Sequence, residues 1–156
     1  MDLYNKLNKI VAWIVFAIAT TVYLLTIEPT ASWWDCGEYI ATAYKLQVGH
    51  PPGAPLFQML GRFFSLFAFG DTSKVALMIN IMSALSSSFT ILFLFWTITH
   101  FGRKIALRNG GEMTAGNAYA VIGSGVVGAL AFTFSDSFWF SAVEGEVYAM
   151  SSLFSA

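Results

Sequence analysis

Three long runs without a single charge dominate this chain: Ile10–Ile27, Val75–Ile98 and Ala118–Phe134. A bilayer's hydrocarbon is ~30 Å thick and an α-helix rises ~1.5 Å per residue, so about 20 apolar residues cross it. Each run is near that length, and a water-soluble domain has no use for three of them. Composition agrees, since only 11% of the residues are charged, less than half of the ~25% usual in soluble domains. Such a chain cannot cover itself with polar surface. The apolar content excludes disorder, the single Cys excludes a disulfide scaffold, and a net charge of −1 gives no footprint for nucleic acid. The fold class expected is all-α, a polytopic transmembrane helix bundle.

A fourth apolar segment begins near Val147 and runs to Ala156, so the chain reads as the N-terminal part, 1–156, of a larger transmembrane domain. Lys6 and Lys9 before the first run resemble the start of a signal peptide. That run exceeds the usual ~7–15 residues, however, and Trp33–Trp34 follow where cleavage needs small residues, so a retained span is expected. Lys6, Lys9, Arg103, Lys104 and Arg108 share one side of the membrane, with Asp2 and Glu112. The opposite side holds Lys45, Arg62 and Lys74 with seven of the nine acids: Glu28, Asp35, Glu38, Asp71, Asp136, Glu144 and Glu146. The excess of Lys and Arg marks the first side as cytoplasmic. The N-terminus is then inside, and the loops 28–74 and 135–146 are outside.

The 47-residue connection 28–74 is too long and too apolar for a slack linker. Cys36, Tyr39, Ile40, Ala43 and Tyr44 recur at helical spacing, opposite Asp35, Glu38, Thr42 and Lys45, with Gly49 as the stop. Pro51 then forces His50 into extended geometry. A second helix is expected over 54–69, with one narrow polar stripe of Gln58, Gly61, Arg62 and Ser65. A crossing there would leave Arg62 mid-bilayer at ~2.5–3.5 kcal/mol or more, so this helix belongs at the membrane surface. In the spans, Ala120, Ser124 and Gly128 form a small-residue stripe for close packing, and Asn80, Ser83 and Ser87 a polar face turned to the bundle interior.

The outer acids cluster at Trp33-Trp34-Asp35-Cys36-Gly37-Glu38 and at Glu144-Gly145-Glu146-Val147-Tyr148. Carboxylates among aromatic rings at a membrane surface suit a general base beside a lipid-borne substrate, since burial raises a carboxylate pKa toward working pH. Structural roles fit the same residues: Asp35 with Glu38 three residues on reads as a capping box, Glu144 or Glu146 as charge at a helix N-terminus, and the rings as an interfacial belt. His50 has no second His on its side of the membrane, so no metal ligands are assigned; it suits a phosphate contact or a fixed turn.

Pro29-Thr30-x-Ser32-Trp33-Trp34-Asp35-Cys36-Gly37-Glu38, Gly49-His50-Pro51-Pro52-Gly53-Ala54-Pro55-Leu56, and Ser135-Asp136-Ser137-Phe138-Trp139 with Ala142-Val143-Glu144-Gly145-Glu146-Val147-Tyr148 together resemble a large bacterial family of multi-spanning membrane proteins common in the Bacteroidetes. Protein O-mannosyltransferases of the animal endoplasmic reticulum share its His-Pro-Pro-Gly turn. The resemblance implies a GT-C-like glycosyltransferase bundle, with amphipathic helices in the first extracytoplasmic loop, in the bacterial inner membrane. Its partners would be membrane lipid, a polyprenyl-phosphate sugar donor and a protein or glycan acceptor. It implies Asp35 and Glu38 as catalytic residues, and His50, Arg62, Glu144, Glu146 and Tyr148 as substrate-binding. Asp-Cys-Gly-Glu stands here where many such enzymes have adjacent Asp-Glu, which leaves the division of roles between Asp35 and Glu38 open. No cofactor is assigned, and a divalent cation is left open. The rival readings are a transporter or flippase, for which no internal repeat is visible, and an envelope scaffold.

Overall fold

The computed structural model describes residues 2–108 and 111–156. Among them there are seven α-helices and no strand: α1 Asp2–Leu25, α2 Cys36–Lys45, α3 Pro55–Ser65, α4 Val75–Ala106, α5 Ala115–Thr133, α6 Asp136–Val143 and α7 Val147–Ser155. Helix α4 contains the whole of its uncharged run, α1 and α5 cover theirs but for the last two residues and the last one, and each helix is long and apolar enough to cross a membrane. The protein is an all-α, multi-pass membrane bundle.

Helix α4 is the central post, packed against α1, α3, α5, α6 and α7 and largely buried, whereas α1 and α5 are largely exposed. The exposed side of α1 carries Ile10, Trp13, Ile14 and Ile18, a surface suited to lipid rather than water. Two tyrosines tie the spans together near their ends. The Tyr4 hydroxyl donates to the Thr99 carbonyl of α4 at 3.1 Å, and the Tyr23 hydroxyl to the Thr133 carbonyl of α5 at 3.0 Å. The Arg103 guanidinium lies over the Tyr4 ring. The N-terminus of α1, the end of α4 and the start of α5 thus share one end of the bundle, the end that carries five of the eight Lys and Arg residues: Lys6, Lys9, Arg103, Lys104 and Arg108. The acidic loops share the other.

The close approach of α4 and α5 depends on Gly125. A Cβ there would lie 2.6 Å from Thr99 Cγ2 and 2.9 Å from Phe95 Cε2. Of the small-residue stripe expected through Ala120, Ser124 and Gly128, only Gly128 meets α4, where a Cβ would lie 2.6 Å from Ile98 Cδ1; Ala120 and Ser124 are exposed, and the buried face is Ala118, Val121, Ile122, Gly125 and Ala129. Small residues permit contact only on the face that tertiary packing selects. The interior face expected of α4 is present: Asn80, Ser83 and Ser87 are fully buried.

The amphipathic helices also differ in detail. Helix α2 ends at Lys45 and not at Gly49. Leu46 takes the left-handed conformation (φ 51°), and two amides close the end, Leu46 N–H onto Ala43 and Gln47 N–H onto Thr42. Thr42 is buried rather than part of the outer polar stripe, because α3 covers it and Gln58 Nε2 donates to its hydroxyl at 3.3 Å. The second loop helix is α-helical only to Ser65, followed by a 3-10 turn over Leu66–Ala68. At 11 residues, about 16 Å, α3 is too short to cross. Its polar residues Gln58, Gly61 and Ser65 are buried against the protein, while Leu56, Met59, Phe63 and Phe67 face out. That inversion of a soluble helix's pattern fits a helix whose outer face meets lipid. The loop 135–146 holds α6, which no periodicity over so few residues foreshadows.

Candidate functional site

Both acidic segments meet at the loop end of the bundle, joined by a backbone and a side-chain hydrogen bond. The Glu28 N–H donates to the Val143 carbonyl at 3.1 Å, and the Ser32 hydroxyl donates to the Glu144 carboxylate. Asn80, at the top of α4 and wholly buried, donates from Nδ2 to the Glu28 carbonyl at 2.7 Å and the Thr30 carbonyl at 3.0 Å. Its Oδ1 lies against Gly145, where a Cβ would come within 2.9 Å of it and 3.1 Å of Ile40 Cγ1. Only a glycine between Glu144 and Glu146 lets the two acidic segments close on each other.

The cavity so formed has a volume of about 460 Å³ and is lined by Ser32, Trp33, Trp34, Phe140, Ser141, Glu144, Glu146 and Tyr148, within the ~300–1,000 Å³ of small-molecule sites. Trp33 and Trp34 are 86% and 95% exposed. Trp34 also holds a left-handed backbone (φ 64°), strained for a bulky side chain and of the kind that collects at functional sites. Carboxylates that accept hydroxyl hydrogen bonds, beside aromatic faces that cover C–H surfaces, are what a sugar requires. A larger recess of about 530 Å³, lined by Phe93, Trp96, Thr97, His100, Phe101, Leu153 and Ala156, carries no carboxylate and lies away from this chemistry.

Asp35 precedes the first turn of α2, its carbonyl accepting from Tyr39 N–H at 2.9 Å, but its side chain caps nothing. The capping box expected from sequence is absent because Glu38 turns the other way. Glu38 accepts from the His50 backbone N–H at 2.7 Å and meets His50 Nδ1 at 3.0 Å. His50 Nε2 in turn stands 3.9 Å from Asp35 Oδ2. Both bonds from His50 hold the Glu38 carboxyl below its usual range, and the Glu38 side chain raises the His50 pKa. Burial pushes the Glu146 carboxyl up, with Glu144 and Asp35 adding to the effect. Burial also raises Tyr39, with Glu146, Asp35, Tyr148 and Glu38 adding.

Glu144, Glu146 and Tyr148 line the cavity, whereas Asp35, Glu38 and His50 form a cluster beside it that lines none of it, near enough for the Asp35 charge to act on Glu146. Arg62 belongs to neither: its guanidinium donates to the Tyr44 carbonyl at 3.0 Å in a separate recess with Lys45. Tyr39 was missed in sequence because it counted as part of the apolar stripe. It is half-buried between His50 and Phe57, with ring centroids 5.9 and 5.6 Å away. Asn80 was legible only as an interior polar residue. Asp35, Glu38 and His50 each offer a ligand atom, all within 4.8 Å of one another. These three could hold a divalent cation, whose binding would draw on oxygen and imidazole donors and compete with the Glu38–His50 hydrogen bond.

Comparison with known proteins follows the same residues. Residues 35–156 match the family model described as the protein O-mannosyl-transferase TMEM260 N-terminal domain. The chain is 32% identical over 143 residues to the protein O-mannosyl-transferase tmem260 of Dictyostelium discoideum, covering 92% of this chain and 15% of that one. It is 30% identical over 141 residues to the protein O-mannosyl-transferase TMEM260 of Mus musculus, covering 90% of this chain and 17% of that one. No solved structure matches. The chain spans less than a fifth of either relative's length, and the family model runs from Asp35 through the turn between α2 and α3 and the second acidic segment: the chain belongs to the TMEM260 N-terminal domain family.

Proposed function

We propose that this chain carries the catalytic base of a GT-C-type membrane glycosyltransferase, which moves a sugar from a polyprenyl-phosphate donor to a hydroxyl of a protein acceptor. The membrane in this reading is a bacterial inner membrane, which the resemblance to Bacteroidetes-type proteins supports. The positive-inside pattern supports an N-terminus in the cytoplasm, with the acidic cavity on the extracytoplasmic face. The observation that carries the reading is the convergence of the two acidic segments on one aromatic-lined cavity at the end of the spans. The relatives' names, protein O-mannosyl-transferase, support mannose as the sugar.

In this reading the acceptor hydroxyl oxygen attacks the anomeric carbon and forms the new C–O bond. Asp35 takes the hydroxyl proton, and the bond from the anomeric carbon to the donor phosphate oxygen breaks, releasing polyprenyl phosphate. Asp35 suits the task because its carboxylate accepts no hydrogen bond among the described residues. Glu38 is committed to His50 and positions that turn. Glu144, Glu146 and Tyr148 grip the sugar hydroxyls, with Trp33 and Trp34 against the ring and the lipid.

The test is to incubate membranes containing the full-length protein with polyprenyl-phosphate mannose labelled in the sugar, together with a protein acceptor. Label appearing covalently on the acceptor supports the assignment. Label crossing the membrane still attached to its lipid would identify a flippase instead and overturn it.

A further inference from the structure

On the α2–α3 pair, away from the acidic cavity, Lys45 and Arg62 flank one aromatic ring. Lys45 Nζ and the Arg62 guanidinium carbon each lie 5.3 Å from the Tyr44 ring centroid. With Tyr44 and Leu46 they line a recess of about 290 Å³. The ion pairs among the described residues are His50 with Asp35, His50 with Glu38, and Lys74 with Asp71, so neither Lys45 nor Arg62 has a carboxylate partner there. One Arg62 nitrogen, Nη1, is fixed by the Tyr44 carbonyl at 3.0 Å and the Ser65 hydroxyl at 3.5 Å, and the rest of the guanidinium is left to the recess. A held planar fork beside a flexible point charge is the pairing that grips a phosphate.

Two further observations say whose phosphate this is. Phe63, adjoining Arg62 in sequence, is exposed on the apolar side of α3 together with Met59 and Phe67, which sets α3 at the depth where headgroups meet acyl chains. Tyr44 lies nine residues beyond Asp35, about 13 Å along the α2 axis. The recess shares no lining residue with the acidic cavity.

We propose that Tyr44, Lys45 and Arg62 form a second site, independent of the acidic cavity, which binds the phosphate of an anionic membrane lipid and clamps α2 to α3 at the membrane surface. The site is blind to the reaction, so it stands or falls separately from the glycosyltransferase reading.

The experiment uses full-length protein in nanodiscs of phosphatidylcholine doped with phosphatidylglycerol, with the retained lipids counted by native mass spectrometry. The wild type should retain phosphatidylglycerol over phosphatidylcholine. Lys45→Gln and Arg62→Gln should each weaken that retention on the order of tenfold, the worth of one lost charge-assisted bond, and Arg62→Lys should keep part of it. The Lys45 side chain makes no hydrogen bond within the described structure, so Lys45→Gln stays decisive if Arg62→Gln misfolds. Inorganic phosphate should fail to displace the lipid. Equal retention by wild type and Lys45→Gln overturns the site, and displacement by inorganic phosphate would assign it to a free anion and overturn the lipid as its ligand.

Discussion

Glu38 and His50, twelve residues apart, meet twice: the Glu38 carboxylate accepts the His50 backbone N–H at 2.7 Å and faces its Nδ1 at 3.0 Å. That double contact closes the loop between α2 and the Pro51-Pro52-Gly53 turn, and it turns His50 Nε2 toward Asp35. It also relieves Glu38 of the capping role its spacing suggests.

The pair is a charge pair only while Glu38 is ionised and His50 is protonated. The lowered Glu38 pKa contributes stability that is present above the ordinary carboxylate range and is lost as pH falls through the lowered value. The raised His50 pKa contributes stability that is full below the ordinary imidazole range and is lost as pH rises through the raised value. Both contributions coincide at mildly acidic pH. Thermal unfolding followed against pH should show a shallow maximum there, and Glu38→Gln should flatten it; an unchanged profile in that variant would remove the pair from the loop's energetics.

Glu146 behaves oppositely. Its raised pKa means the fold favours the neutral acid, an advantage that is full below the ordinary carboxylate range and is lost as pH rises through the raised value. Wherever Glu146 is ionised, the fold holds that charge at a cost. Glu146→Gln should raise the melting temperature at pH 7, give no gain at pH 4, and lower sugar transfer on the order of tenfold, the worth of a hydrogen bond to a charged acceptor. Melting scans at the two pH values, beside a transfer assay, check both halves.

Asn80→Ala strips donors from the Glu28 and Thr30 carbonyls, which are only partly buried, so each costs no more than the ~1–3 kcal/mol of a buried unpaired group. Gly145→Ala drives a Cβ into Asn80 Oδ1 and Ile40. The two changes touch the same contact, so their effects should not add. In a double-mutant cycle of unfolding free energies, the pair should cost less than the sum of the singles, because Asn80→Ala removes the oxygen that Gly145→Ala collides with.

Much of this fold is legible in the sequence because its strongest signals are one-dimensional. Uncharged runs set α1, α4 and α5, and Lys and Arg sort by end. The polar stripe of α3 is visible in the spacing of Gln58, Gly61 and Ser65. Its direction is not, since periodicity cannot say whether the polar face meets water or protein. Helix α6 is too short to carry a period. The site is legible in its residue types, Asp35, Glu144 and Glu146 among aromatics, but not in its pairings. Those depend on where α2 stops, which Leu46 sets by a left-handed backbone that a leucine rarely adopts. Arg62 looked like a site residue because it is near in sequence; α3 carries it to the far end of α2.

In the proposed reaction Asp35 takes the acceptor's proton. Full-length Asp35→Asn and Glu38→Gln proteins, matched for membrane abundance and melting temperature, should be compared for transfer of labelled mannose from its lipid phosphate to protein. Asp35→Asn should lose ~10²–10⁴-fold, the usual worth of a general base, and Glu38→Gln should keep most of the activity. Wild-type transfer by Asp35→Asn, or abolition by Glu38→Gln alone, would contradict this role for Asp35.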